Sequence, residues 1–212
     1  MSIAENVAAI RAAMESAARD AGRDPKEIKL CAATKMNDAA AVRQAIAAGV
    51  DVCGENRVQE LTQKLGENAY VGAPVHFIGH LQTNKVRQVV GKVDLIQSVG
   101  SLHLLEVNIG EEAAKTGFAA SDILPLIDKI DSFSNICVRG LMAIPPISEN
   151  PGDNSKFFLK MREIYVDIRA KKKDNVQVDC LSMGMSGDYL DAIRCGSTMV
   201  RIGTAIFGER HY

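Results

Sequence analysis

Along this chain the spacing of apolar residues switches repeatedly between a period of two and a period of 3.6. That alternation constrains the fold more than any other feature. Runs at 28–34, 50–54, 75–79, 94–99, 104–109, 136–144, 179–183 and 198–202 read as eight strands. Helix-spaced stretches at 38–48, 57–66, 83–90, 121–132, 155–172 and 187–195 fall between most of them. Asn37 and Asp38 are placed to cap one helix that Gly49 ends, Thr83 to cap another that Gly91 ends, and Ser121 and Asp122 to open a third. The run Ile136 to Ile144 is apolar at consecutive positions, which suits a sheet covered on both faces. Strands alternating with helices predict a parallel sheet, and eight of them predict an α/β fold closed into a (β/α)8 TIM-type barrel.

An extra helix should precede the barrel. Ser2 and Glu5 stand at capping-box spacing, Ile3, Val7, Ile10, Met14 and Ala17 follow, and Gly22 and Pro25 stop the run. One step of the alternation fails. Only four residues separate 94–99 from 104–109, a reach of roughly 14 Å. Parallel neighbours need a crossover of about a dozen residues or more. A helix is therefore expected to be missing between strands 4 and 5.

Composition narrows the function classes. With 212 residues, 47% of them hydrophobic and 24% charged, the chain is expected to form one soluble domain over 1–212. A net charge of −1 with no basic stripe argues against nucleic acid as a partner. No apolar run approaches the ~20 residues of a membrane span, and the opening segment is a polar helix rather than a secretory signal. The cysteines Cys31, Cys53, Cys137, Cys180 and Cys195 show no paired spacing. They are expected to be free thiols in a reducing, cytoplasmic compartment, with no metal.

Chemistry gathers at the strand ends. Lys35 follows Ala32-Ala33-Thr34 at the rim where barrel active sites are built. A desolvated lysine loses its proton readily and its amine can form a Schiff base. After strand 7 comes Gly184-Met185-Ser186-Gly187-Asp188, and after strand 8 Gly203-Thr204. In such barrels phosphate binds where these two loops meet a helix start, because glycine admits backbone N–H groups and hydroxyls add donors. An amine facing two phosphate loops suits an aldehyde that carries a phosphate, pyridoxal phosphate foremost. Arg201 shares the face of Gly203, so it either pairs with a carboxylate or points at the bound ring. Asn56, at the end of strand 2, is either a helix cap or a contact to the cofactor's polar edge. His80 and Gln82 stand at the third rim, where His80 is a candidate pocket wall. Lys115 is a second rim amine or a surface lysine.

These stretches together resemble the pyridoxal-phosphate homeostasis protein family, the YggS-like proteins. The matching segments are Ala33–Lys35, Gly54–Glu60, His76–Val86, Glu106–Gly110, Arg139–Pro146, Leu181–Ser186 and Val200–Gly208. The resemblance implies a barrel similar to the N-terminal domain of alanine racemase. It implies that Lys35 carries pyridoxal 5'-phosphate as an internal aldimine, that Met185, Ser186, Gly203 and Thr204 hold the phosphate, and that Arg201 faces the pyridine nitrogen. Two departures stand out. The family carries a helix between strands 4 and 5, and many members read glycine-glycine-glutamate where this chain has Gly110-Glu111-Glu112.

Three functional readings follow. The first is a monomeric protein that holds and delivers the cofactor within intracellular vitamin B6 homeostasis without strong turnover, its candidate recipients being apo enzymes that use pyridoxal phosphate. The second is an amino-acid racemase or related enzyme, with His80 or Tyr189 as the base opposite Lys35. The third is a barrel enzyme that uses Lys35 as an aldolase-type amine on a phosphorylated sugar. A chain of 212 residues is expected to leave no room for the second catalytic domain of an alanine racemase. An arginine on the pyridine nitrogen would also weaken the ring as an electron sink. Both considerations favour the first reading.

Overall fold

In the computed structural model, residues 1–97, 104–110, 117–147, 150 and 152–209 are described. Strands and helices alternate as β1 (Lys29–Ala33), α2 (Ala39–Ala47), β2 (Val52–Glu55), α3 (Val58–Gly66), β3 (Val75–Phe77), α4 (Val86–Val89), β4 (Leu95–Ile96), β5 (Leu104–Val107), α5 (Ala120–Asp128), β6 (Val138–Ala143), α6 (Ser155–Ala170), β7 (Val176–Ser182), α7 (Tyr189–Arg194), β8 (Met199–Ile202) and α8 (Thr204–Phe207), preceded by α1 (Ile3–Asp20). The capping box of α1 is complete: Glu5 N donates to Ser2 Oγ at 3.2 Å and Ser2 N to Glu5 Oε2 at 2.7 Å. Its buried stripe of Val7, Ile10, Met14, Ala17 and Ala18 packs on α2, α7 and α8.

All eight strands lie parallel in the order β4-β3-β2-β1-β8-β7-β6-β5. This is the expected barrel strand order, with one seam open. β4 and β5 form the two ends of the sheet and do not pair among the described residues. The break falls where the sequence lacks a crossover. Residues 98–103, which join the two strands, lie outside the described residues.

Alternate residues of each strand divide between the inside and outside of the curl. On β8, Val200 and Ile202 join the outer core beneath the helices, whereas Met199 turns inward onto Cys31, Val52, Met142 and Cys180. A second outer core under α5 and α6 includes Ile123, Ile127, Leu141, Phe158, Met161 and Leu181. Each such fully buried side chain contributes ~1.5–3 kcal/mol. All five cysteines are free, and burial pushes the thiols of Cys53 and Cys180 up to about 12, so they serve as packing groups.

Local differences from the sequence expectations have physical reasons. β7 starts at Val176, three residues before the predicted 179, because Gln177 and Asp179 are exposed and interrupt its apolar pattern. Thr83 opens a 3-10 turn instead of capping a helix, and Ala119 precedes α5 with no side-chain cap. The short α8 directly after Gly203 was not predicted. Among the described residues no helix is long and apolar enough to cross a membrane.

Candidate functional site

Lys35 lies two residues beyond β1 at the C-terminal mouth of the barrel and is half-buried. It lines a cavity of about 240 Å³ with Ala33, Gly203 and Thr204. The first and last strands pair side by side, Ala32 opposite Ile202, which brings the rim amine to the glycine-threonine loop. Gly203 meets little: a Cβ there would lie 3.5 Å from the Ala33 Cβ, an ordinary contact. Its value is therefore backbone access rather than a steric necessity.

Asn56, just beyond β2, offers a buried side-chain oxygen that has no hydrogen-bond partner. Such an orphan acceptor costs ~1–3 kcal/mol unless a donor arrives. The residue is fixed from two sides. Its N–H donates to Glu55 Oε1 at 2.8 Å, and Gly79 presses on its carbonyl so closely that a Cβ at Gly79 would sit 2.0 Å from that oxygen. Asn56 does not cap α3; Arg57 holds that place, with no side-chain cap bond. The helix-cap reading of Asn56 is therefore not what the structure has.

Arg201 is only 5% exposed and lies inside the barrel mouth. Its Nη1 donates to the Ser182 carbonyl at 2.9 Å and the Ser182 hydroxyl at 2.6 Å, and its Nη2 donates to the Ala143 carbonyl at 3.0 Å. Burial lowers its pKa from the ordinary arginine value, offset in part by Cys31, Cys180, Asp188 and Glu106. These hydrogen bonds go to Ser182 and Ala143, while the carboxylates of Asp188 and Glu106 act on the guanidinium through their charge.

The loop after β7 is shaped by Gly184 at φ 95, where a Cβ would also come within 2.6 Å of Ala192 Cβ. Met185 N–H is already committed to Asp188 Oδ1 at 2.7 Å, and Asp188 is held in turn by Asn154 at 2.9 Å. Ser186 Oγ accepts a long bond from Ala205 N at 3.4 Å, tying this loop to the start of α8. The two phosphate-type loops thus meet, with Ser186, Gly203 and Thr204 as the available groups and the Met185 amide engaged elsewhere.

His80 is exposed at the rim beyond β3 and does not line the Lys35 cavity. Gln82 is likewise exposed, and Tyr189 is half-buried at the start of α7. Lys115 lies outside the described residues. Residues to which the sequence reading gave no role complete the interior: Glu55, Lys64, His76, Gln97 and Ser182 are all buried polar groups. A carboxylate in an apolar strand was a legible signal at Glu55. Gln97 had none.

The chain matches the family model described as alanine racemase, N-terminal domain, over residues 3–211. It is 40% identical to the pyridoxal phosphate homeostasis protein of Pseudomonas aeruginosa, covering 99% of this chain and 96% of that protein. The protein of the same name from Haemophilus influenzae is 36% identical over 232 aligned positions, 100% of this chain and 98% of the relative. About twenty of those positions find no residue among the 212 here, a shortfall the size of the absent crossover. The solved structure of PipY from Synechococcus elongatus with PLP bound superposes with a TM-score of 0.80 at 29% identity, covering 97% of this chain and 100% of that one. Alanine racemases at 13–15% identity share the fold, with TM-scores of 0.65. On full-length identity and fold together, the chain belongs to the pyridoxal phosphate homeostasis protein family.

Proposed function

We propose that this protein binds pyridoxal phosphate through Lys35 and serves its homeostasis, holding and releasing the cofactor without strong turnover of its own. The observation that carries the reading is the shared cavity of Lys35, Gly203 and Thr204. When bound, the cofactor supplies an aldehyde that condenses with a primary amine and releases water. The chain's own groups match the remaining features of the molecule. Ser186 and Thr204 hydroxyls and the backbone at Gly203 suit the phosphate, and the Asn56 acceptor suits a ring hydroxyl. The Arg201 guanidinium can only donate, so against the ring nitrogen it would hold that nitrogen unprotonated. That weakens the electron sink a racemase or transaminase requires.

The same features weigh against the other two readings. His80 is exposed and does not line the Lys35 cavity, which weighs against the first candidate base of the racemase reading. A phosphorylated-sugar aldolase would have no evident use for the Arg201 placement. The proposal includes a cytoplasmic, monomeric protein that passes its cofactor to apo enzymes. The test is the absorption spectrum on adding pyridoxal phosphate, before and after borohydride. A lysine-bound band that borohydride bleaches, absent in Lys35→Ala, is expected. A wild-type spectrum identical to that of free cofactor contradicts the proposal.

A further inference from the structure

A buried ionic network lies directly beneath Lys35. Lys64, on α3, is 5% exposed, and its Nζ donates to Glu55 Oε2 at 2.7 Å, Glu60 Oε2 at 3.3 Å and the Thr34 carbonyl at 2.8 Å. Glu55 is fully buried and its Oε2 also accepts from Thr34 Oγ1 at 3.1 Å and Tyr70 OH at 3.3 Å. The same Glu60 oxygen accepts from Met36 N at 2.6 Å. The network therefore holds the carbonyl just before Lys35 and the amide just after it. Met36 itself sits at φ 62, the left-handed region that a methionine rarely adopts.

Buried ion pairs are weak sources of stability, since packed apolar residues of similar volume do as well or better. Two carboxylates and an ammonium placed here instead grip one short backbone segment at both ends. The left-handed turn at Met36 is the sort of local strain that persists only when its surroundings over-determine it. We infer that Lys64 and Glu60 are positioning residues for Lys35: they fix the Thr34–Met36 backbone so that the amine is presented to an incoming aldehyde. This inference rests on the Lys35 reading above and adds to it the residues that set the amine's geometry.

Glu60→Ala is the clean variant, because Glu60 is 20% exposed at its side chain and its loss leaves Lys64 still paired with Glu55. The full-length protein is mixed with pyridoxal phosphate, the adduct is fixed with borohydride at timed intervals, and label on Lys35 is quantified by peptide mass mapping. Amide exchange at Met36 is followed on the same proteins without cofactor. Glu60→Ala is expected to lose protection at Met36, to label Lys35 about tenfold more slowly, and to unfold close to the wild-type temperature. Glu60→Gln, whose amide oxygen can accept the same N–H, keeps the wild-type rate. Adding Met36→Gly to Glu60→Ala restores labelling, since glycine takes a left-handed φ without a tether. A merely structural role would show neither rescue. Wild-type labelling by Glu60→Ala overturns the inference and leaves the Lys35 reading standing. Should wild-type Lys35 take no label at all, the Lys35 reading fails, and unchanged Met36 exchange in Glu60→Ala overturns the clamp separately.

Discussion

Gln97, one residue beyond β4, accepts a hydrogen bond from the Ser182 hydroxyl of β7 at 2.7 Å across the barrel interior. The bond spans a sheet whose end strands β4 and β5 do not pair among the described residues. It also has a direction. Arg201 can only donate, and it donates to Ser182 Oγ at 2.6 Å, so the Ser182 proton goes to Gln97 Oε1. Gln97 Nε2 is then turned toward His76 Nδ1 at 2.8 Å, which must accept. His76 is thereby a neutral imidazole carrying its proton on Nε2.

That assignment makes a pH prediction. Burial depresses the His76 pKa to about 4, against nearby Asp94, which raises it, and Lys29 and Arg139, which lower it. The unfolded chain takes up a proton near pH 6.5 that the folded chain refuses. Stability from this site is therefore whole above pH 6.5 and falls as pH drops toward 4, by about 3 kcal/mol. Denaturant unfolding from pH 7 to 4 checks it. His76→Leu should be less stable at pH 7 but show a flatter decline; parallel curves would mean that His76 does not titrate this way.

Arg201→Gln tests the electron-sink argument. Removing the guanidinium should let the ring nitrogen protonate and raise half-transamination of added alanine about tenfold, equivalent to ~1.4 kcal/mol of barrier. Product analysis by chromatography reads the outcome. An unchanged rate with cofactor bound would detach Arg201 from the ring.

Much of this architecture was legible because the barrel is built from short-range patterns. The eight strand runs follow from short apolar stretches set between helix-spaced segments, and the missing crossover follows from the four residues between 94–99 and 104–109. Lys35 and the Gly203–Thr204 loop read from the sequence as lying across the mouth from one another; the pairing of β1 with β8, Ala32 opposite Ile202, sets them side by side. The buried polar interior was not legible. Glu60 and Lys64 are four apart on α3 and look like a solvated surface pair; burial of Lys64 depends on where β2 places Glu55. Gln97 and Ser182 are 85 residues apart, and only the curl of the sheet brings them together. The commitment of the Met185 amide to Asp188 likewise arises from the turn after Gly184, which spacing alone does not specify.

Gly79→Ala should act on Asn56. The added methyl would overlap the Asn56 carbonyl, 2.0 Å away, so the two segments must part at a cost of ~1–3 kcal/mol. Thermal unfolding should show the loss, and cofactor affinity should fall with it. Full affinity in a destabilised variant would remove Asn56 from the binding groups.

The phosphate assignment predicts that Ser186→Ala combined with Thr204→Val weakens cofactor retention. Each hydrogen bond lost to a charged group costs about 1.5–3 kcal/mol. Equilibrium dialysis measures it, and wild-type affinity in the double variant would put the phosphate elsewhere.

The most direct measurement is to load the protein with pyridoxal phosphate, reduce with borohydride, digest, and locate the modified lysine by mass. The account predicts one stoichiometric adduct, on Lys35. A principal adduct on any other lysine, Lys115 included, or none above that of a denatured control, would contradict it.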